Sequence, residues 1–138
     1  MARCGNCGPG AYPDSVGVHA VESEKNKPWA QWKLLLVGDK IALRSDTGKY
    51  LARCHKCWKG NGKKEDGAFI HVSSFSGNPH ALWTLVDAGN RKWALKGDNG
   101  KYLARCQGCV KGGKKSNFAF VHATEKTFKW AQWTIEKV

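Results

Sequence analysis

Six cysteines stand in three CxxC pairs: Cys4/Cys7, Cys54/Cys57 and Cys106/Cys109. Three histidines follow in the same rhythm, each after an apolar residue: His19, His71 and His122. Two thiolates and an imidazole are good zinc ligands, but a structural zinc normally takes four. His55 could supply a fourth only beside Cys54 and Cys57. Each pair could instead close a local disulfide that staples a long loop, or remain as free thiols in a reducing compartment. The disulfide is the preferred reading, zinc stays open, and no cofactor is favoured. A thioredoxin-like redox role is not expected, because that motif belongs at a helix start in a βαβ setting. Each histidine would serve equally well as a packing or hydrogen-bonding residue on a strand.

No catalytic set is visible. No carboxylate pair repeats at a plausible site, and no phosphate-cradling loop carries a Walker lysine. Cys-His nucleophilic chemistry needs one distinct site, whereas these groups occur three times. Threefold repetition points to multivalent binding and not to an enzyme.

The loops after the CxxC pairs carry the charge. Lys56, Lys59, Lys63 and Lys64 mark one, and Lys111, Lys114 and Lys115 mark another. The first such loop, Gly8 to Asp14, has no lysine. Two basic tips and one neutral tip could meet an acidic polymer. Seven tryptophans are present. Trp32, Trp83 and Trp133 repeat and read as core, as does Trp93. Trp29, Trp58 and Trp130 are the surface candidates, where an exposed indole could stack on a sugar face or a base.

The elements that carry these residues repeat. Ile41 to Cys54 matches Trp93 to Cys106 at an offset of 52 residues, and Met1 to Cys4 matches Leu51 to Cys54 at an offset of 50. Ile41 and Leu43, like Trp93 and Leu95, alternate with smaller or charged residues, a half-buried strand pattern. Asp46-Thr47-Gly48 and Asp98-Asn99-Gly100 are tight-turn chemistry. Tyr50 to Ala52 and Tyr102 to Ala104 return as second strands. Phe69 to Val72 and Phe118 to His122 read as third strands, and Ala81 to Leu85 and Ala131 to Ile135 as fourth strands. Four short strands in each of three units of about 50 residues predict an all-β protein, a β-trefoil. A propeller normally has more blades. The expected organisation is one domain, residues 1–138, with lobes at about 1–39, 40–90 and 91–138. Its lobe tips are expected to lie apart, so that no two CxxC pairs share a metal.

One lobe is incomplete. Nothing ahead of Met1 matches Ile41 to Tyr50, which leaves a barrel seam with exposed ladder groups. The chain is a shortened one, a partner subunit closes the seam in a homo-oligomer, or the fold tolerates the loss. The first two are favoured.

The phrase Ala42-Leu43-Arg44-Ser45-Asp46-Thr47-Gly48-Lys49-Tyr50-Leu51, repeated as Ala94 to Leu103, resembles the hairpin that opens each lobe of fascin-like β-trefoils. The resemblance covers two lobes well and the first only from Met1. It implies a non-enzymatic binder of actin filaments or another acidic polymer. The wider trefoil group also includes membrane and actin binders and lectins, and fold does not settle function. The CxxC in each lobe departs from the family pattern. Charge agrees with the polymer reading: 23 Lys and Arg stand against 11 Asp and Glu, a net +12, which attracts polyanions. The alternative is a lectin that uses Trp29, Trp58 or Trp130. No apolar run approaches the roughly 20 residues of a membrane span. The first residues lack an apolar signal region, which sets the expected compartment as the cytoplasm, with an extracellular setting as the alternative if a signal was removed.

Overall fold

The computed structural model describes residues 1–59 and 64–138. Its strands are β1 (Ala2–Gly5), β2 (Asp14–Gly17), β3 (Lys33–Val37), β4 (Lys40–Arg44), β5 (Tyr50–His55), β6 (Asp66–Val72), β7 (Thr84–Gly89), β8 (Lys92–Lys96), β9 (Tyr102–Gln107) and β10 (Asn117–Ala123). All described pairings are antiparallel. Short 3-10 turns, among them Pro28–Ala30, Pro79–Ala81 and Lys129–Ala131, lead into the last strand position of each lobe.

Two layers of hairpins build the trefoil. The hairpins β3–β4 and β7–β8 form the barrel wall, tied by bridges from Ile41 to Trp83 and from Trp93 to Trp133. The hairpins β1–β2, β5–β6 and β9–β10 form a cap. Their second strands touch one another in all three combinations, through Ser15–Phe69, Phe118–Gly17 and Phe120–Gly67. This mutual contact brings the three lobes around one axis.

The expected core leucines and their partners are buried. Leu43, Leu51, Ile70, Leu95, Leu103 and Val121 pack together with Trp83. Each lobe's core indole donates to the backbone of its own lobe: Trp32 Nε1 to the Met1 carbonyl at 3.1 Å, Trp83 to Leu51 at 3.1 Å, and Trp133 to Leu103 at 3.0 Å. Met1 thus stands where Leu51 and Leu103 stand in the other lobes. The symmetry is not complete in burial. Trp83 is fully buried, whereas Trp32 and Trp133 are only partly so, because they flank the place of the strand that the first lobe lacks. The fourth strand expected at Ala131 to Ile135 is likewise reduced to the single bridge at Trp133. A strand needs a ladder partner, and residues 134–138 have none among the described residues.

Turn chemistry follows expectation at Gly48 (φ 85°) and Gly100 (φ 79°). The CxxC turns need a second left-handed position. Asn6, Lys56 and Gly108, each just before the second cysteine, have φ 55°, 57° and 67°. Their amides donate to Pro13, Glu65 and Ser116 at 2.7, 2.6 and 2.7 Å, which closes each hairpin.

Candidate functional site

The three CxxC pairs are disulfides. Cys4–Cys7, Cys54–Cys57 and Cys106–Cys109 have Cα–Cα distances of 5.7, 5.6 and 5.7 Å. They do not lie apart as expected. Cys4, Cys7, Cys54, Cys57, Cys106 and Cys109 all pack in one apolar cluster with Trp58, Phe69, Val110, Phe118 and Phe120. The reason is the cap geometry: the hairpins that carry the pairs converge on the axis. Disulfides form and persist in oxidising compartments, so the chemistry of the cap does not favour the expected cytoplasmic setting. No helix is long and apolar enough to cross a membrane among the described residues.

The alternative of a metal at each Cys-His group does not match this arrangement. The groups were Cys4, Cys7 and His19; Cys54, Cys57 and His71; and Cys106, Cys109 and His122. Sulfurs bonded to one another are not thiolate ligands, and among the described residues no three His, Cys, Asp or Glu side chains are placed to hold a metal ion. The histidines also stand away from the sulfurs. Cys54 pairs with Gly67 and Cys106 with Phe118, in each case four residues before the histidine. Four residues of strand separate them by about 13 Å. Cys57 and Cys109 lie one turn further along, beyond the end of the ladder. Antiparallel pairing therefore carries His71 and His122 to the opposite end of the hairpin. Both are the extra residue of a β-bulge, between Ile70 and Val72 and between Val121 and Ala123.

The histidines instead meet the next lobe's loop. Tyr12, Lys64 and Lys115 occupy equivalent positions, two residues before Asp14, Asp66 and Asn117. Tyr12 of the first lobe packs on His71 of the second, ring centroids 4.5 Å apart. Lys64 of the second shares a small cleft with His122 of the third. Lys115 of the third acts on His19 of the first. Burial lowers the pKa of all three imidazoles. The charges of Lys115 at His19 and Lys64 at His122 push the same way, while the Phe120 carbonyl opposes at His122.

Ion pairs join lobes in the same cyclic sense. Arg3 reaches Asp46 through Nε at 2.7 Å and Nη2 at 2.9 Å, and Asp14 through Nη1 at 3.3 Å. Arg53 repeats this with Asp98 at 2.6 and 3.0 Å and Asp66 at 3.0 Å. The hydrogen bond from each arginine holds Asp46 and Asp98 below the usual carboxylate range. Burial raises Asp66, but bonds from His55, Arg53 and Asn99 outweigh it and leave its pKa lowered.

The loop tips interlock. The Lys59 amide donates to the Pro9 carbonyl at 2.7 Å, Ala11 to Cys57 at 2.7 Å, and Lys114 to Cys7 at 2.6 Å. Lys56, Lys59, Lys64, Lys111, Lys114 and Lys115 are all exposed on these loops. Lys63 lies outside the described residues. The expected basic tips are therefore parts of one cap.

The tryptophans divide differently from expectation. Trp58 is only 7% exposed and is a cap core residue, not a surface one. Its ring packs on Phe69 at 4.8 Å and Phe118 at 5.1 Å. Gly8, Trp58 and Val110 are equivalent positions that meet at the axis. A Cβ on Gly8 would come within 2.9 Å of the Trp58 ring and 3.2 Å of Val110. The large residue fits because its counterpart is glycine, and no local pattern signals that pairing. Trp130 is 44% exposed and stacks on Phe128 with centroids 4.8 Å apart. Trp29 is half-buried with Lys27 Nζ 6.0 Å from its ring. The two sit on equivalent 3-10 turns, which pack against β1 and β9 respectively.

The lobes, their repeat and the cap define a β-trefoil. The designed threefold symmetric protein ThreeFoil superposes with a TM-score of 0.58 at 18% identity, over 90% of this chain and 84% of that one. A salivary protein from Culex quiquefasciatus, of the Cysteine and Tryptophan-Rich (CWRC) family, gives a TM-score of 0.54 at 18% identity over 75% of this chain. The chain spans 66% of that protein's length, just under two thirds. At this identity both likenesses concern the fold. No family model and no curated protein sequence matches the chain.

Proposed function

We infer that the protein is a non-enzymatic binding module whose cap engages an acidic polymer, as in the actin-binding reading of the fascin-like resemblance. The observation that supports this is the interlocking of the three loop tips, which joins the lysine-bearing loops of two lobes in one cap. A fixed cluster of cations on a chain of net +12 focuses its field better than the same charges spread over the surface. The disulfides and the aromatic cluster beneath hold the loops in place. They also support a secreted setting, in which the polymer would be an anionic glycan and not a filament.

The test is binding of the full chain to actin filaments and to an anionic polysaccharide across a salt series. Binding should weaken steeply as salt rises, because exposed charges are screened within about 8 Å at physiological ionic strength. The combined change of Lys64, Lys114 and Lys115 to Glu should abolish it. Absence of binding to both polymers at low salt rejects the reading. A second reading, a lectin, is favoured by one observation, the exposed Trp130–Phe128 stack. A neutral-glycan array that dims with Trp130→Ala would support it.

A further inference from the structure

The small cleft that Lys64 shares with His122 lies between the second and third lobes. It has a volume of about 210 Å³ and is lined by Lys64, Glu65, Asp66, Lys101, Val121 and His122. A site for a whole drug-sized molecule takes roughly 300–1,000 Å³, so this one suits a single charged group on a larger chain. Both lobes build it. Lys64, Glu65 and Asp66 stand at the start of β6, and Lys101, Val121 and His122 belong to the turn before β9 and to β10. Asn99 joins the two walls: its Nδ2 donates to Asp66 Oδ2 at 3.1 Å and to the Val121 carbonyl at 3.2 Å.

The charges in the cleft are arranged for an anion. Asp66 is already engaged: its Oδ1 accepts from Arg53 at 3.0 Å and meets His55 Nδ1 at 2.9 Å. Lys64, Glu65 and Lys101 are exposed. Among the described residues no carboxylate lies within ion-pair distance of either lysine. Burial lowers the pKa of His122, and the charges of Lys64 and Lys101 add to this against the Phe120 carbonyl. The imidazole is therefore neutral at neutral pH, and the two ammonium groups supply the positive charge. Glu65 and Asp66 beside them limit how much negative charge the cleft accepts.

The equivalent contact of the first and second lobes is built otherwise. Lys49 stands where Lys101 does, and His71 where His122 does. Tyr12 takes the place of Lys64, and its ring packs on His71 with centroids 4.5 Å apart. Thr47 takes the place of Asn99, and its hydroxyl bonds Ser45 within its own turn at 2.7 Å. That contact offers one lysine and an aromatic ring where the other offers two lysines across joined walls.

We propose that the cleft between Lys64 and Lys101 binds a sulfate ester carried on a glycan. The two lysines hold the sulfate oxygens from two lobes, and Glu65 accepts from a hydroxyl of the same sugar. A sulfate monoester carries one negative charge, whereas a phosphate monoester carries about 1.5 to 2 at pH 7. The two carboxylates in the lining repel the larger charge more, so the cleft selects the sulfate. The inference rests on the reading of the protein as a binder of an anionic glycan, and names the group that is recognised.

The probe is N-acetylglucosamine bearing a sulfate ester on its primary hydroxyl, titrated into the isotope-labelled full chain and followed by backbone amide shifts. Saturable shifts are expected at Glu65, Lys101 and His122, and not with the unsulfated sugar. Lys64→Gln and Lys101→Gln should each weaken binding roughly fivefold, the upper end for an exposed ion pair. The corresponding phosphate ester should bind more weakly, and Glu65→Gln should narrow that gap. The amides of Lys49 and His71 should show no saturable shift. All three substitutions are at exposed positions, and the amide spectrum reports the fold of each variant. The proposal is overturned by absent saturable shifts, by an equal response to the unsulfated sugar, or by a phosphate ester that binds as tightly. Affinity unchanged in both lysine variants, or equal shifts at Lys49 and His71, also overturns it. Binding of the wild-type chain to an anionic polysaccharide at low salt, measured in parallel, separates the two claims. Polysaccharide bound without cleft shifts from the sulfated sugar rejects the cleft and leaves the broader reading standing, and binding of neither rejects both.

Discussion

Arg53 of the second lobe grips Asp98 of the third with two parallel hydrogen bonds, Nε to Oδ1 at 2.6 Å and Nη2 to Oδ2 at 3.0 Å. Such a forked contact fixes geometry as well as charge, and here it locks the angle between neighbouring lobes. Asp98→Asn should lower unfolding stability by about 1–2 kcal/mol, the range for a charged hydrogen bond on a partly exposed pair. Urea unfolding of wild type, Asp98→Asn, Arg53→Gln and the double variant measures it. Losses that add fully in the double variant would mean that the pair does not couple the lobes.

Acid should loosen the same contacts. The folded pKa values of Asp46 and Asp98 lie below the ordinary carboxylate value. Their contribution is therefore present above about pH 4 and is lost as pH falls through the folded values. Asp46→Asn with Asp98→Asn should flatten the stability profile below about pH 4 and leave its shape near neutral pH unchanged. Stability curves of both chains across the acid range check this.

The histidines act in a higher window. Burial lowers the folded pKa of His19, His71 and His122. The neutral imidazole is the folded form, so stability is full above about pH 6.5 and declines below it, as the unfolded chain takes up protons first. The thermal midpoint should drop between neutral pH and about pH 5, and His71→Gln should reduce that drop. A midpoint that rises on acidification would contradict the assignment.

The disulfides close very short loops. Chain-entropy reasoning gives about 2 kcal/mol for each. Three such losses would consume a large part of the roughly 5–15 kcal/mol that holds an ordinary domain together. Reduction should therefore lower the urea midpoint sharply. Replacing Cys54 and Cys57 together by Ala should cost about 2 kcal/mol from the lost cross-link alone, with packing losses on top. Equal stability of oxidised and reduced chains would show that the cap is held by its aromatic cluster instead.

The axis of the cap should tolerate no side chain at Gly8. Gly8→Val meets Trp58 and Val110 and should destabilise by about 1–3 kcal/mol through overpacking. Gly8→Val combined with Trp58→Leu should recover part of the loss. If the single variant is as stable as wild type, the axial packing is looser than described.

Much of this was legible in residue order. The spacing of Ile41, Tyr50 and Cys54 against Trp93, Tyr102 and Cys106 determined the repeat, and alternation determined the strands. Asp46-Thr47-Gly48 and Asp98-Asn99-Gly100 marked the turns, and comparison of lobes exposed the strand that the first one lacks. These are local or periodic features, and local sterics and period-two burial are enough to write them into a sequence. The cap was decided only by tertiary structure. That three separate CxxC pairs share one apolar cluster, that Trp58 is buried because Gly8 faces it, and that each loop lies on the next lobe's histidine are relations between residues some 50 positions apart. They arise from rotation of the lobes about a common axis. No periodicity along the chain encodes that rotation, because it comes from the packing of one hairpin against another.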